Sequence, residues 1–222
     1  VPAELTDAAA RIQYAYYTRD TRQLRSALES LAQLSLPSDS EVLRNYQLGV
    51  GYWHLAELSR SAARRQALAR CEEHLEAVLR TDARRADALA VRGLCAFNRG
   101  ELRVGNVRRR ECARTSAIAE AVEIAPRNPR VLYVQALCAL KDGDTAKALE
   151  LAQRAWSAFE EAPLDAEEHA GWGHAEACVL LARLQLSRGD RAQARDRAEQ
   201  ALILAPDYVA ASELLAEIAG SR

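Results

Sequence analysis

Apolar residues recur along this chain at spacings of three and four, the interval at which side chains line one face of a helix. Ala194, Ala198 and Ala201 form one such stripe, and Ala148, Ala152 and Ala155 form another. Valine, isoleucine and threonine are too scattered to build the period-two runs of a half-buried strand, so no sheet is predicted. No apolar run reaches the roughly eighteen residues that a membrane-spanning helix needs. The pattern predicts an all-helical chain assembled from short amphipathic segments.

Those segments repeat. From Ala136 it is 7 residues to Gly143, then 12, 16 and 19 to Ala148, Ala152 and Ala155. The same offsets lead from Ala182 to Gly189, Ala194, Ala198 and Ala201. A third copy runs through Leu89, Gly93 and Gly100 to Ala121 and Pro126, and a fourth through Leu48, Gly49, Tyr52, Ala77 and Asp82. A degenerate fifth extends from Leu5 through Asp20 to Pro37. Each copy reads as helix, turn, helix. Gly-Asp supplies a left-handed end to the first helix and an N-cap to the second. Small residues let the two helices approach closely, and the closing proline stops the second helix. The predicted repeats span about 3–37, 42–84, 86–128, 129–163 and 172–208, with a capping helix over 208–220, all within one domain of 1–222.

The pattern resembles the tetratricopeptide repeat, whose signature is W-x2-L-G-x2-Y, a later Ala-x3-Phe-x2-Ala and a closing proline. Leu48-Gly49-x2-Tyr52 matches the first part. The final copy matches at Leu181, Ala182, Ala194, Ala201 and Pro206, with Cys178 in place of the tryptophan and Gln185 in place of the tyrosine. The resemblance covers nearly the whole chain and implies an all-α solenoid of about five repeats. It says little about function, because the family is defined by architecture.

The repeats are longer than the family's usual 34 residues. Gly49 to Gly93 is 44 residues, Gly93 to Ala136 is 43, and Ala136 to Ala182 is 46. The extra residues fall at 55–70 and 101–115, predicted as longer second helices or added turns, and at Glu160–Gly173, predicted as a loop into a new helix. Elongated repeats with Trp172-Gly173 opening a late helix are similar to a bacterial group of exported tetratricopeptide proteins. Several of these are lipoproteins beside transport systems, including TatT-type partners of solute transporters and carriers of lipids or sterols. That similarity implies a periplasmic or outer-membrane-associated protein, peripherally attached through a removed lipoprotein leader, with the cytoplasm as the alternative. A chain that starts at Val1 and holds no methionine fits a mature form lacking its leader.

Charge narrows the partners. With 30 basic and 31 acidic residues the net charge is −1, which supplies no field to recruit nucleic acid. The five cysteines (Cys71, Cys95, Cys112, Cys138 and Cys178) are an odd number, widely spaced and without a CxxC pair. They read as small buried apolar residues and not as a disulfide framework or a zinc site, which leans towards a reducing compartment without excluding the periplasm.

In the tetratricopeptide family, positions 2, 5, 9, 12 and 13 of each first helix face the concave surface. Taking Gly49, Gly93, Ala136 and Ala182 as position 8, the resemblance assigns to that surface Tyr46, Val50, Trp53 and His54, then Leu94, Phe97 and Asn98, then Tyr133, Leu137 and Leu140, and finally Arg183. So apolar a wall implies a hydrophobic small molecule, lipid or sterol-like, with His54, Asn98 and Arg183 fixing its orientation. The alternative is a scaffold that receives a partner protein's amphipathic helix, and the same stripe is also what an ordinary helical core looks like. No nucleophile elbow, phosphate loop or dinucleotide fingerprint is present, so neither catalysis nor a cofactor is expected. His169 and His174 lack converging ligands for a metal. Arg103, Arg108, Arg109, Arg110 and Arg114 read as solvated surface.

Overall fold

The structure, a computed structural model, describes residues 1–101, 111–161 and 171–220. Among the described residues are eleven α-helices and no strand. In chain order they are α1 (Ala3–Tyr17), α2 (Thr21–Gln33), α3 (Glu41–Leu58), α4 (Ser61–Thr81), α5 (Ala86–Glu101), α6 (Ser116–Ile124), α7 (Pro129–Asp142), α8 (Thr145–Glu161), α9 (His174–Ser187), α10 (Arg191–Leu204) and α11 (Val209–Gly220). This is an all-α solenoid of helix-turn-helix repeats.

The turns follow from the residues that occupy them. Gly143 closes α7 in the left-handed region at φ 87°, and the Asp144 carboxylate then accepts the Lys147 N–H at 2.9 Å. Gly189 takes φ 84° after α9, and Asp190 accepts the Gln193 N–H at 3.2 Å. Asp20 caps α2 through the N–H groups of Arg22 and Gln23, and Asn128 caps α7 ahead of Pro129. Each such cap is worth about 1 kcal/mol. Helices α6 and α10 end two residues before Pro126 and Pro206.

Close packing within each pair rests on the small residues of the repeat. A Cβ on Gly49 of α3 would stand 2.6 Å from Leu75 of α4, and one on Gly93 of α5 would stand 2.7 Å from Ile118 of α6. Ala148, Ala152 and Ala155 of α8, and Ala194, Ala198 and Ala201 of α10, are fully buried.

The chain divides into two compact units, Val1–Pro126 and Arg127–Arg222. In the first, α1 packs on α2 and α3, α3 on α4 and α5, and α5 on α6. In the second, α7 packs on α8, α8 on α9, and α10 on both α9 and α11. The core at the end of this unit joins Ala182, Ala194, Ala198, Leu214 and Ile218.

The extra length at 55–70 is helical: α3 runs to Leu58 and α4 begins at Ser61. Of the other two insertions, 102–110 and 162–170 lie outside the described residues, as do Arg103, Arg108, Arg109, Arg110 and His169. Cys112–Arg114 form a short 3-10 turn before α6.

The cysteines correct the sequence reading. Cys71 of α4 and Cys95 of α5 form a disulfide, Cys112 and Cys138 are also disulfide-bonded, and Cys178 alone is a free thiol. Spacing along the chain hid the first pair. Its members are 24 residues apart and meet only because consecutive helices of a solenoid are neighbours. Burial pushes the Cys178 thiol up to about 12, so it stays protonated and unreactive.

Candidate functional site

Helices α1, α3 and α5 are the first helices of three successive repeats in unit 1, and they carry most of the residues assigned to a groove. Tyr46, Val50, Trp53, His54, Leu94, Phe97 and Asn98 are all buried there. Tyr46 donates its hydroxyl to Asp87 of α5 at 2.5 Å and lies beneath the Arg85 guanidinium, 3.9 Å from the ring centroid. Arg85 also donates to Asp87 at 3.2 Å. Tyr46 is thus bound to the next repeat.

His54 stacks on Tyr16 of α1 with ring centroids 3.9 Å apart and planes 8° from parallel. Burial lowers its pKa to about 3, so the imidazole is neutral near pH 7. Asn98 is 3% exposed, and neither its amide nitrogen nor its amide oxygen has a hydrogen-bond partner among the described residues. In this unit the aromatic and polar positions read from the sequence are all buried, and Tyr46 and His54 pack on neighbouring helices.

The remaining four belong to unit 2. Tyr133 is buried, Leu137 is half-buried, and Leu140 and Arg183 are exposed. Trp172, 1% exposed, accepts an N–H from Arg130 on its carbonyl at 3.3 Å and carries that guanidinium 4.9 Å from its ring. Gly173, at φ 105°, donates its N–H to Glu176 at 2.7 Å. His174 stacks on Phe159 and shares a 2.9 Å hydrogen bond with Glu160. Trp172-Gly173 therefore acts as a structural joint onto α9. No cluster of metal-ligating side chains occurs among the described residues.

The surface that sequence reasoning missed lies between α1 and α2. It is an open slot of about 720 Å³. Glu4, Asp7, Ala8, Ala10, Arg11 and Tyr14 line it from α1, Gln23, Ser26, Ala27, Ser30 and Leu31 from α2, and Leu34 from just beyond the end of α2. Both sets recur at three and four, so each helix offers a full stripe to the slot. A different face of the pair meets α3, where Ile12 and Leu28 pack beside Gly51. The degenerate register of the first repeat concealed the slot.

No protein-family model matches the sequence, and no curated protein matches it. Among solved structures, the chain is similar to TTC0263, a thermophilic TPR protein of Thermus thermophilus, with a TM-score of 0.53 and 16% identity over 90% of this chain and 88% of that one. It is also similar to residues 1-338 of Acl4, an assembly chaperone of RpL4, with a TM-score of 0.48 and 16% identity over 99% and 95% of the two chains. A third similarity is to MamA MSR-1 C2, with a TM-score of 0.37 and 15% identity over 93% and 98%. The first of these shows the fold, that of tetratricopeptide-type helical repeats.

Proposed function

We propose that this chain is a non-enzymatic scaffold that binds a protein partner through its helical repeats. One observation carries the reading. The aromatic and aliphatic side chains of unit 1 assigned to an apolar groove are buried. An open slot walled by two helices lies in the same unit. Such a slot receives a helix by ridges-into-grooves packing. A lipid or sterol needs an enclosing chamber, and Tyr46 is bound to Asp87 and Arg85 of the next repeat. The same proposal puts the chain in an oxidising compartment such as the periplasm, supported by the buried Cys71–Cys95 disulfide.

Native mass spectrometry of the purified protein, before and after challenge with a lipid panel, tests the scaffold reading. An apo mass throughout, together with saturable one-to-one binding of a display-selected helical peptide, is the expected result. One apolar molecule carried per chain, and lost in Trp53→Ala, overturns it. The compartment is tested by trapping thiols with iodoacetamide. The cells are quenched in acid and the thiols alkylated in denaturant, so that burial does not shield them. Cys71 and Cys95 should resist alkylation as an intact disulfide, and alkylation of both places the chain in a reducing compartment.

A further inference from the structure

We propose that α5 is clasped to the repeat before it, so that α3, α4 and α5 open as one block, and that the Cys71–Cys95 bridge sets this coupling. The inference stands whichever partner the scaffold takes.

The sequence repeat groups α5 with α6, as the two helices of one copy. The cross-links run the other way. In its first turn, Asp87 of α5 accepts the Tyr46 hydroxyl of α3 at 2.5 Å, with both residues buried. Further along, Cys95 is bonded to Cys71 of α4, and both are fully buried. One turn beyond, Arg99 grips the Glu72 carboxylate of α4 with two N–H groups, at 2.5 and 2.7 Å. Arg92 pairs with Glu76, also on α4. The stretch from Asp87 to Arg99 is about 18 Å of helix, so ties to α3 and α4 occupy most of α5, a helix of 16 residues. Its partner within the copy, α6, has 9 residues and meets it where Ala117 and Ile118 pack beside Gly93.

The strengths of these ties decide which one sets the coupling. Each repeat of a solenoid is held by its own stability and by the interface with its neighbour, so repeats open singly where that interface is weak. The Arg99–Glu72 and Arg92–Glu76 pairs are partly exposed, and water and salt weaken such pairs. The Tyr46–Asp87 bond is buried but breaks and re-forms with each fluctuation. The bridge does not. An α5 that opened alone would stay tethered to α4 near its middle and would gain less conformational entropy than a free segment. Separate opening is disfavoured on that account, and joint opening is left.

The coupling is set by redox chemistry at one moment only. Closing the bridge turns two thiols into one disulfide, and the two electrons and two protons released reduce an external disulfide to two thiols. Both sulfurs are sealed in the folded chain, where exchange cannot reach them. The clasp is therefore fixed when the chain folds and is kept until α4 and α5 open.

Hydrogen exchange of the full 222-residue oxidised chain, read by mass spectrometry on peptides from α4 and α5 across a low-urea series, tests the block. Amides of both helices should exchange through one opening, with the same free energy and the same urea dependence. In Cys71→Ala/Cys95→Ala, with circular dichroism confirming the fold, α5 should lose about ten-fold or more protection relative to α4. Glu72→Gln, which breaks the fork to Arg99, should change protection by less than about five-fold and leave the two helices matched. An α5 about ten-fold less protected than α4 in the oxidised parent overturns the block, and that arm decides even where the double variant fails to fold. Matched protection in a folded double variant overturns the role of the bridge. Uncoupling in Glu72→Gln as large as in the double variant assigns the coupling to the ion pairs and overturns that role too.

Discussion

Cys71 and Cys95 join the second repeat to the third through a disulfide in which both residues are fully buried. The bridge closes a loop with a sequence separation of 24, which in the chain-entropy account contributes about 3 kcal/mol by restricting the unfolded chain. Because neither sulfur is reachable in the folded state, a thiol reductant acts only through opening of the repeats. The double variant Cys71→Ala/Cys95→Ala is expected to lose about 2–4 kcal/mol. Urea unfolding with and without reductant checks this: reduction should shift the unaltered protein by more than the variant, whose remaining response reports only the bonded Cys112 and Cys138. A variant as stable as the oxidised parent removes the bridge from the forces that hold unit 1 together.

The His54 ring, stacked on Tyr16 and with its pKa lowered by burial to about 3, makes stability depend on pH. In the unfolded chain a histidine takes up its proton near pH 6.5, whereas the folded chain resists protonation until about pH 3. The stability that neutral His54 contributes is therefore complete above pH 6.5 and is lost as pH falls towards 3, at about 1.4 kcal/mol per pH unit. Between pH 7 and pH 5 the loss from this one group is about 2 kcal/mol. In His54→Phe, which keeps a ring against Tyr16, that part of the slope should vanish. Urea midpoints measured at the two pH values decide the matter; parallel losses in parent and variant would assign the acid sensitivity to other groups.

The fold was legible where backbone chemistry is local. The shared offsets from Ala136 and Ala182 led to Gly143 and Gly189, and both sit at positive φ beside a capping aspartate. The small residues at 49 and 93 mark helices that a single Cβ would push apart. Other features depend on what lies across the packing. The periodicity that places Trp53 and Phe97 on one face is the same whether that face meets solvent, a ligand or protein, and here both are buried. The Cys71–Cys95 pairing and the Arg130–Trp172 contact connect residues far apart in sequence, so no local spacing signals them. The α1–α2 slot belongs to the copy whose register was weakest.

Asn98 is a second buried polar side chain with an energetic consequence. Its amide is 3% exposed, and neither polar atom is hydrogen-bonded among the described residues. Leaving such a group unsatisfied costs about 1–3 kcal/mol, while an apolar side chain of similar shape carries no such penalty. Asn98→Leu is therefore expected to raise stability by about 1–2 kcal/mol, and Asn98→Asp, which buries a charge in the same place, to lower it by more. Thermal and chemical unfolding of the two variants gives the sign directly. A destabilised Leu variant means that the amide is satisfied in solution.

The last prediction concerns Gly173, which starts α9 at φ 105°. A Cβ at this position would stand 2.7 Å from the Phe159 ring, and the φ value is one that residues with side chains rarely adopt. Phe159 cannot retreat freely, because it stacks on His174, whose imidazole is hydrogen-bonded to Glu160. Gly173→Ala should therefore combine backbone strain with a steric clash and cost about 2–4 kcal/mol. Gly171→Ala, two residues earlier, has open space around its Cβ and is expected to change stability by less than about 0.5 kcal/mol. Comparing the urea midpoints of the two variants separates a requirement for glycine at the joint from a general dislike of substitution in this stretch. Equal losses for both would show that the joint tolerates Gly173→Ala no worse than its surroundings, and that the Trp172-Gly173 pair serves something other than the packing of α8 on α9.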